Sequence, residues 1–278
     1  MIKRFFYRKL AEKSEDLTFW EHAEVLRKYL FRSLIFILAT SVVAFFFKHF
    51  IFDIIILGPK HSDFITYQFM CAIGKRWNLD GLCFESIPFS LINIDLAGQF
   101  RWHIIISFVA GLIVSFPFII WQFWLFVKPA LKPTEQKYSR GLIFYISALF
   151  LLGVLFGYYI IMPLTINFLA NYVLSPEINN QITISSYISS VTMLPISTGI
   201  VFELPVLVYF LAKISMLTAR FLRKYRKHSI VLILLIAGII TPSTDWFTQT
   251  MVALPLYLLY EISIWIAHAV NKKQQLAG

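Results

Sequence analysis

The sequence predicts an all-α polytopic membrane protein with six transmembrane helices, and three observations carry that expectation. Apolar residues make up 58% of the 278-residue chain and charged residues 14%, against roughly 25% charge in a soluble domain. Apolar runs recur at lengths near the ~20 residues that a spanning helix needs. The 25 Lys and Arg residues are sorted into alternate segments between those runs. A net charge of +10 placed in this way reflects topology and contact with anionic lipid rather than nucleic-acid binding.

The runs follow in order. Residues 31–50 form the first span and 102–126 the second. Residues 140–163 form the third, ending at Met162-Pro163, and 190–212 the fourth. The fifth, 228–241, is short for a full crossing and needs a thinned bilayer or buried ends. Residues 248–269 give the sixth. The expected organisation is a charged, amphipathic cytoplasmic segment over 1–30, a six-helix domain over 31–269 and a tail over 270–278. A loop at 51–101 joins the first two spans, and no internal repeat is visible. Residues 1–30 lack the short apolar core and small-residue cleavage site of a secretory signal.

Lys and Arg decide the orientation. The N-terminus, residues 128–140, residues 213–227 and the tail hold twenty of them, and the opposite set of segments holds five. The positive-inside rule then puts both termini in the cytoplasm, and an even span count agrees. The loop at 51–101 falls on the far side, together with Asp245 in the TPSTD turn. Pro59, Asp245, Cys71 and Cys83 are its expected structural residues. On an oxidising side a Cys71–Cys83 bridge is expected over two free thiols. No third Cys is present, and His61, ten residues before Cys71, is not at a ligand spacing.

Some residues conflict with a hydrocarbon setting. Glu203 lies in IVFELPVLVYF and Glu261 in LPLYLLYEISIWI. An acid near the bilayer centre costs at least about 2.5 kcal/mol, so such residues face a cavity, a partner or an ion path. Pro117, Pro195, Pro205 and Pro255 each remove a helical donor. No HExxH, GxSxG, P-loop or CxxC pattern occurs, so no enzyme activity, metal or cofactor is expected. A proton-coupled transporter of a small solute, with Glu203 as relay, is the alternative. Such transporters carry internal repeats, which this chain lacks.

Four local patterns then resemble one family. Phe19-Trp20-Glu21-His22-Ala23-Glu24-Val25-Leu26-Arg27 looks like an H-L-x-E-L-R entrance motif. Phe126-Val127-Lys128-Pro129-Ala130-Leu131 with Glu135 resembles F-x-x-P-A-L-x-x-x-E. Phe202-Glu203-Leu204-Pro205 resembles F-E-x-P, and Thr241-Pro242 with Asp245 and Gln249 resembles T-P-x-D-x-x-x-Q with one extra residue. In this order, on six spans, they resemble the TatC family, the receptor subunit of the twin-arginine protein translocase. One departure is Val25, which stands where the family carries an acid. Glu24 is one residue earlier, about 100° round a helix, so it replaces that acid only in part.

The resemblance implies a cupped six-helix bundle in a bacterial inner membrane. It implies that the protein binds twin-arginine signals and exports folded precursors on the proton gradient. Small single-span partners of the TatA/TatB type would join it in a homo- or hetero-oligomer. The implied signal-peptide site is Glu24, Arg27, Lys28, Phe126, Pro129, Leu131 and Glu135, since paired guanidinium groups need carboxylates. Glu203, Gln249 and Glu261 are the implied intramembrane polar positions that meet a partner, with Glu203 and Gln249 in one patch.

Overall fold

The computed structural model describes residues 19–61, 63–77, 90–130, 139–175, 177, 180–241 and 246–277. Contacts divide the chain into two compact units. One comprises Met1–Phe46 and Ile104–Ala148, and the other Phe47–His103 and Leu149–Gly278. Five helical stretches are long and apolar enough to cross a membrane: Ala23–Phe46, Gly98–Val127, Gly141–Asn171, Ile184–Lys213 and Thr248–Lys272. The chain is thus a helical, multi-pass membrane protein.

The first unit is built on α1, Phe19–Phe46, and on the part of α3, Gly98–Val127, that falls within it. Helix α1 starts well before the apolar run, because the charged turns ahead of Phe31 also lack breakers. Only 6% of its most apolar window is buried within the protein, so the medium around it must be hydrocarbon. The two helices run antiparallel. Phe36 stacks on Phe118 with centroids 4.2 Å apart. One turn on, the Thr40 hydroxyl lies 2.7 Å from Ser115 Oγ and donates to the Gly111 carbonyl at 3.1 Å. A Cβ on Gly111 would sit 2.6 Å from the Ser41 nitrogen, so this residue sets how closely the two backbones approach. Helix α4, Ser139–Phe156, begins in this unit.

In the second unit the described residues of the segment expected as a loop at 51–101 form several short elements. It holds a π-helical turn at Phe50–Ile56, a 3₁₀ turn at Gly58–Lys60 and α2, Ile65–Trp77. Two-residue β1, Leu91–Ile92, pairs in parallel with β2, Ile182–Thr183, in the register Leu91↔Ile182. This pairing is the one addition to the all-α expectation among the described residues.

Tyrosines fasten that segment to the spans. Tyr67 donates to the carbonyls of Pro59 at 3.0 Å and Pro163 at 3.1 Å. Tyr158 donates to Ile55 at 2.7 Å and Tyr187 to Ile56 at 2.8 Å. Helix α4 passes through a π-helical stretch, Gly157–Ile161, into α5, Met162–Asn171. Pro163 has no N–H to offer the carbonyl four residues back. That carbonyl belongs to Tyr159, and the Thr66 hydroxyl takes it.

Helices α6, Ile184–Val201, and α7, Leu204–Lys213, form one span broken at Phe202-Glu203. Pro205 explains the break, because it cannot donate to Val201. Close approach to the preceding span is set by glycines. A Cβ on Gly153 would meet Phe202 Cβ at 2.8 Å, and one on Gly157 would meet Pro195 Cα at 2.7 Å. Short α8, Ala219–Lys224, leads to α9, Arg226–Ile240, and α10, Trp246–Ala277. The 15 residues of α9 reach about 22 Å at 1.5 Å per residue, short of a ~30 Å core. It is the expected fifth span and is not among the five long enough.

Candidate functional site

The antiparallel pairing of α1 and α3 brings two sequence patterns to one end of the first unit. From Phe36 opposite Phe118, α1 runs back to Glu24 as α3 runs forward to Phe126 and the 3₁₀ turn Lys128–Ala130. Glu24, Arg27 and Lys28 are exposed, whereas Val25 is half-buried. The departure from the family pattern therefore falls on a more inward-facing position than that of Glu24. Glu24 Oε1 holds Lys28 Nζ at 2.8 Å, with both side chains more than 60% exposed. An exposed i, i+4 pair of this kind exchanges readily for another cation. Phe126 is half-buried and Pro129 exposed. Leu131 and Glu135 lie outside the described residues.

The intramembrane acids and Gln249 belong to the second unit and differ in their surroundings. Glu203 sits at the break between α6 and α7. Its Oε1 is buried and has no hydrogen-bond partner among the described residues. Glu261 is satisfied within the chain: Arg226 Nη2 lies 2.6 Å from Oε2, and the Tyr257 hydroxyl donates to Oε1 at 3.1 Å. Gln249 is also engaged, its Nε2 donating to the Leu234 carbonyl at 2.8 Å. No hydrogen bond joins Glu203 to Gln249. Gln249 instead ties α10 to α9 beside Gly238, where a Cβ would meet Nε2 at 3.2 Å.

On the side of α2, Pro59 is buried beneath Tyr67. Burial raises the Tyr67 hydroxyl above the ordinary tyrosine range. Cys71 is disulfide-bonded, while Cys83 and Asp245 lie outside the described residues. Among the described residues no three His, Cys, Asp or Glu side chains gather as metal ligands.

Sequence reasoning missed the clamp formed by Thr66, Tyr67, Tyr158 and Tyr187, which no spacing signals. It also missed Gly153 and Gly157, whose signal was visible: G-x-x-x-G in an apolar span marks close helix packing.

Comparison with known proteins agrees with the motifs. A family model described as Sec-independent protein translocase protein (TatC) matches residues 21–255. A Sec-independent protein translocase protein TatC of Blattabacterium sp. subsp. Periplaneta americana is 41% identical over 95% of this chain and 100% of its own. The protein of that name from Aquifex aeolicus is 34% identical over 92% of this chain and 96% of its own. Two crystal structures of a twin-arginine translocase receptor, TatC, superpose with TM-scores of 0.67 and 0.71 at 32% and 33% identity. Each covers 89% of this chain, over 98% and 99% of their own.

Proposed function

The chain belongs to the TatC family of Sec-independent protein translocase proteins, and from that membership we propose that it is the receptor subunit of a twin-arginine translocase. It binds the signal peptides of folded precursors at the α1–α3 end of its first unit and commits them to export on the proton gradient. The observation that carries this reading is the exposed Glu24 carboxylate, paired with Lys28, at the same helix-pair end as Phe126 and Pro129.

The chemistry follows from the ligand. Two adjacent guanidinium groups call for carboxylates in planar, bidentate geometry. Glu24 and Glu135 supply them. Arriving arginine displaces Lys28 from Glu24, exchanging a point-charge pair for a forked one. Phe126 and Leu131 meet the apolar residues around the arginines, and Pro129 stiffens the turn that presents them. Arg27 and Lys28 hold this end in the cytoplasm.

The remaining parts of the reading concern the membrane. The protein resides in a bacterial inner membrane with six crossings, α9 being the short one, and both termini inside. A polar side chain of a small single-span partner of the TatA/TatB type supplies the donor that Glu203 Oε1 lacks. A Cys71–Cys83 bridge closes the external loop; alkylation of both thiols without reductant would remove it. The chain acts as a receptor and performs no covalent chemistry.

The test is Glu135→Ala and Glu24→Ala in a strain without its own receptor, with a twin-arginine reporter as readout. Export falls in both, more at Glu135, because Val25 already weakens the entrance motif. Unimpaired export with Glu135→Ala rejects Glu135 as an arginine contact. Equal crosslinking of signal peptides with both arginines replaced by uncharged residues rejects the whole site.

A further inference from the structure

A second cluster of charge lies in the second unit, away from every residue used above. Between α8 and the end of α10 opens a cavity of about 750 Å³. Arg220, Arg223, His268 and Lys272 line it together with Thr218 and Asn271, and among the described residues no carboxylate does. Among the described residues none of the four basic side chains has an ion-pair partner. The nearby acid Glu261 is already taken by Arg226.

The walls are fixed. Val208, Ala212, Ala219, Leu222, Ile264 and Ala267 form a buried cluster joining α7, α8 and α10. The Tyr260 hydroxyl donates to the Leu222 carbonyl at 2.8 Å, and Gln274 Nε2 to the Lys213 carbonyl at 2.7 Å. The frame holds the backbones of the four basic residues on one face, with their side chains exposed. The connection from α7 to α8 turns through Ser215 at φ 61°, a left-handed conformation that Ser rarely adopts.

Its depth identifies what fills it. Lys213 ends α7, and Lys272 is the first Lys or Arg of α10, after its long apolar run, so the cavity lies at the polar ends of both helices, where hydrocarbon gives way to headgroups. Ile214 and Met216 stand on either side of the lining residue Ser215 in the chain, and Phe221 follows Arg220, with 61%, 75% and 53% of their surfaces exposed. A free anion has no use for this exposed apolar surface, whereas an acyl chain does. We propose that this pocket seats the phosphate headgroup of an anionic phospholipid of the phosphatidylglycerol class. The guanidinium groups of Arg220 and Arg223 grip the phosphodiester oxygens in forked geometry, and Lys272 adds a point charge. The acyl chains lie over Ile214, Met216 and Phe221. A choline lipid brings its own cation to the same cluster and is disfavoured. The inference stands on the spans alone and does not depend on the signal-peptide site.

The experiment uses the full chain, purified in mild detergent and stripped of lipid. It is titrated with phosphatidylglycerol, phosphatidylcholine or inorganic phosphate, with native mass spectrometry and thermal unfolding as readouts. Phosphatidylglycerol should raise Tm by about 4 °C near saturation, and the other two should not. Arg223→Gln combined with Lys272→Gln should weaken lipid binding at least about ten-fold with an unchanged far-UV spectrum. Arg220→Gln alone serves as the second probe if the double variant does not fold. Lys227→Gln, which removes one charge outside the pocket as Arg220→Gln removes one within it, should leave binding intact. Three results overturn the proposal: an equal loss in Lys227→Gln, an equal gain with phosphatidylcholine, or the full shift with inorganic phosphate alone.

Discussion

The guanidinium of Arg226 meets the carboxylate of Glu261 at 2.6 Å, across 35 residues, tying the first turn of α9 to α10. Glu261 stands out in the sequence as an acid that hydrocarbon should reject, and Arg226 reads as one more cation setting topology. Together they neutralise each other at a helix end, and the Tyr257 hydroxyl fills a further acceptor site. The acid therefore serves the joint between α9 and α10.

Breaking this pair from one side should be worse than removing both members. Arg226→Gln leaves a carboxylate only 24% exposed without its cation. A loss of about 1–2 kcal/mol is expected, or roughly 3–6 °C in Tm for a chain of this size. Arg226→Gln with Glu261→Gln should recover about half of that. Thermal unfolding of the parent chain, both single variants (Arg226→Gln and Glu261→Gln) and the double variant in one detergent gives the coupling as a double-mutant cycle. Additive losses would mean that the two charges act separately.

The clamp on α2 makes a prediction about proline. Thr66 and Tyr67 reach the carbonyls of Tyr159 and Pro163, on either side of the position where Pro163 withholds its donor. Tyr67→Phe removes the donor to two buried carbonyls and should destabilise by about 1–3 kcal/mol. Thr66→Val should cost about 1 kcal/mol with Pro163 present and clearly less in a Pro163→Ala background, where an N–H is restored. Burial raises the Tyr67 pKa above its ordinary 10.0, so the folded state favours the protonated hydroxyl. Its contribution is whole below pH 10 and declines as the pH climbs further. Tyr67→Phe should flatten that alkaline decline.

Glycine in the third span offers a sharper contrast. Gly157→Ala places a methyl 2.7 Å from the Pro195 Cα, a backbone atom that cannot swing aside, so a loss of at least about 2 kcal/mol is expected. Gly141→Ala lies near the start of the same helix, with Tyr145 Cε2 as its nearest neighbour at 3.8 Å. There the higher helix propensity of Ala should give a gain of about 0.5–1 kcal/mol. Unfolding measurements on the pair test packing rather than glycine content.

The spans were legible because hydrocarbon length, charge sorting and helical periodicity are written locally in the chain. The four motifs were legible for the same reason. Features that depend on distant partners were not. Nothing near Thr66 tells that Pro163, 97 positions on, frees a carbonyl for it. Gln249 reads as a groove residue until the Leu234 carbonyl is found beside it. Two-residue strands such as Leu91–Ile92 carry no periodicity at all. At the α1–α3 end the sequence supplied the residue types, and the antiparallel register of Phe36 and Phe118 supplied their common location.

Glu203 is the acid whose surroundings leave a buried acceptor open. Its Oε1 is buried without a donor among the described residues, and a lone buried polar atom costs about 1–3 kcal/mol. Replacing it with an apolar side chain of similar length should therefore help the isolated chain. Glu203→Leu should raise Tm by a few degrees in detergent and at the same time lower co-purification of single-span partners about ten-fold or more. Glu203→Gln keeps an acceptor oxygen and should retain most of the partner. A residue that served internal packing would behave in the opposite way: Glu203→Leu would melt earlier and hold its partners unchanged. Opposite signs for stability and assembly in one substitution separate an acid held for a partner from an acid held for the fold.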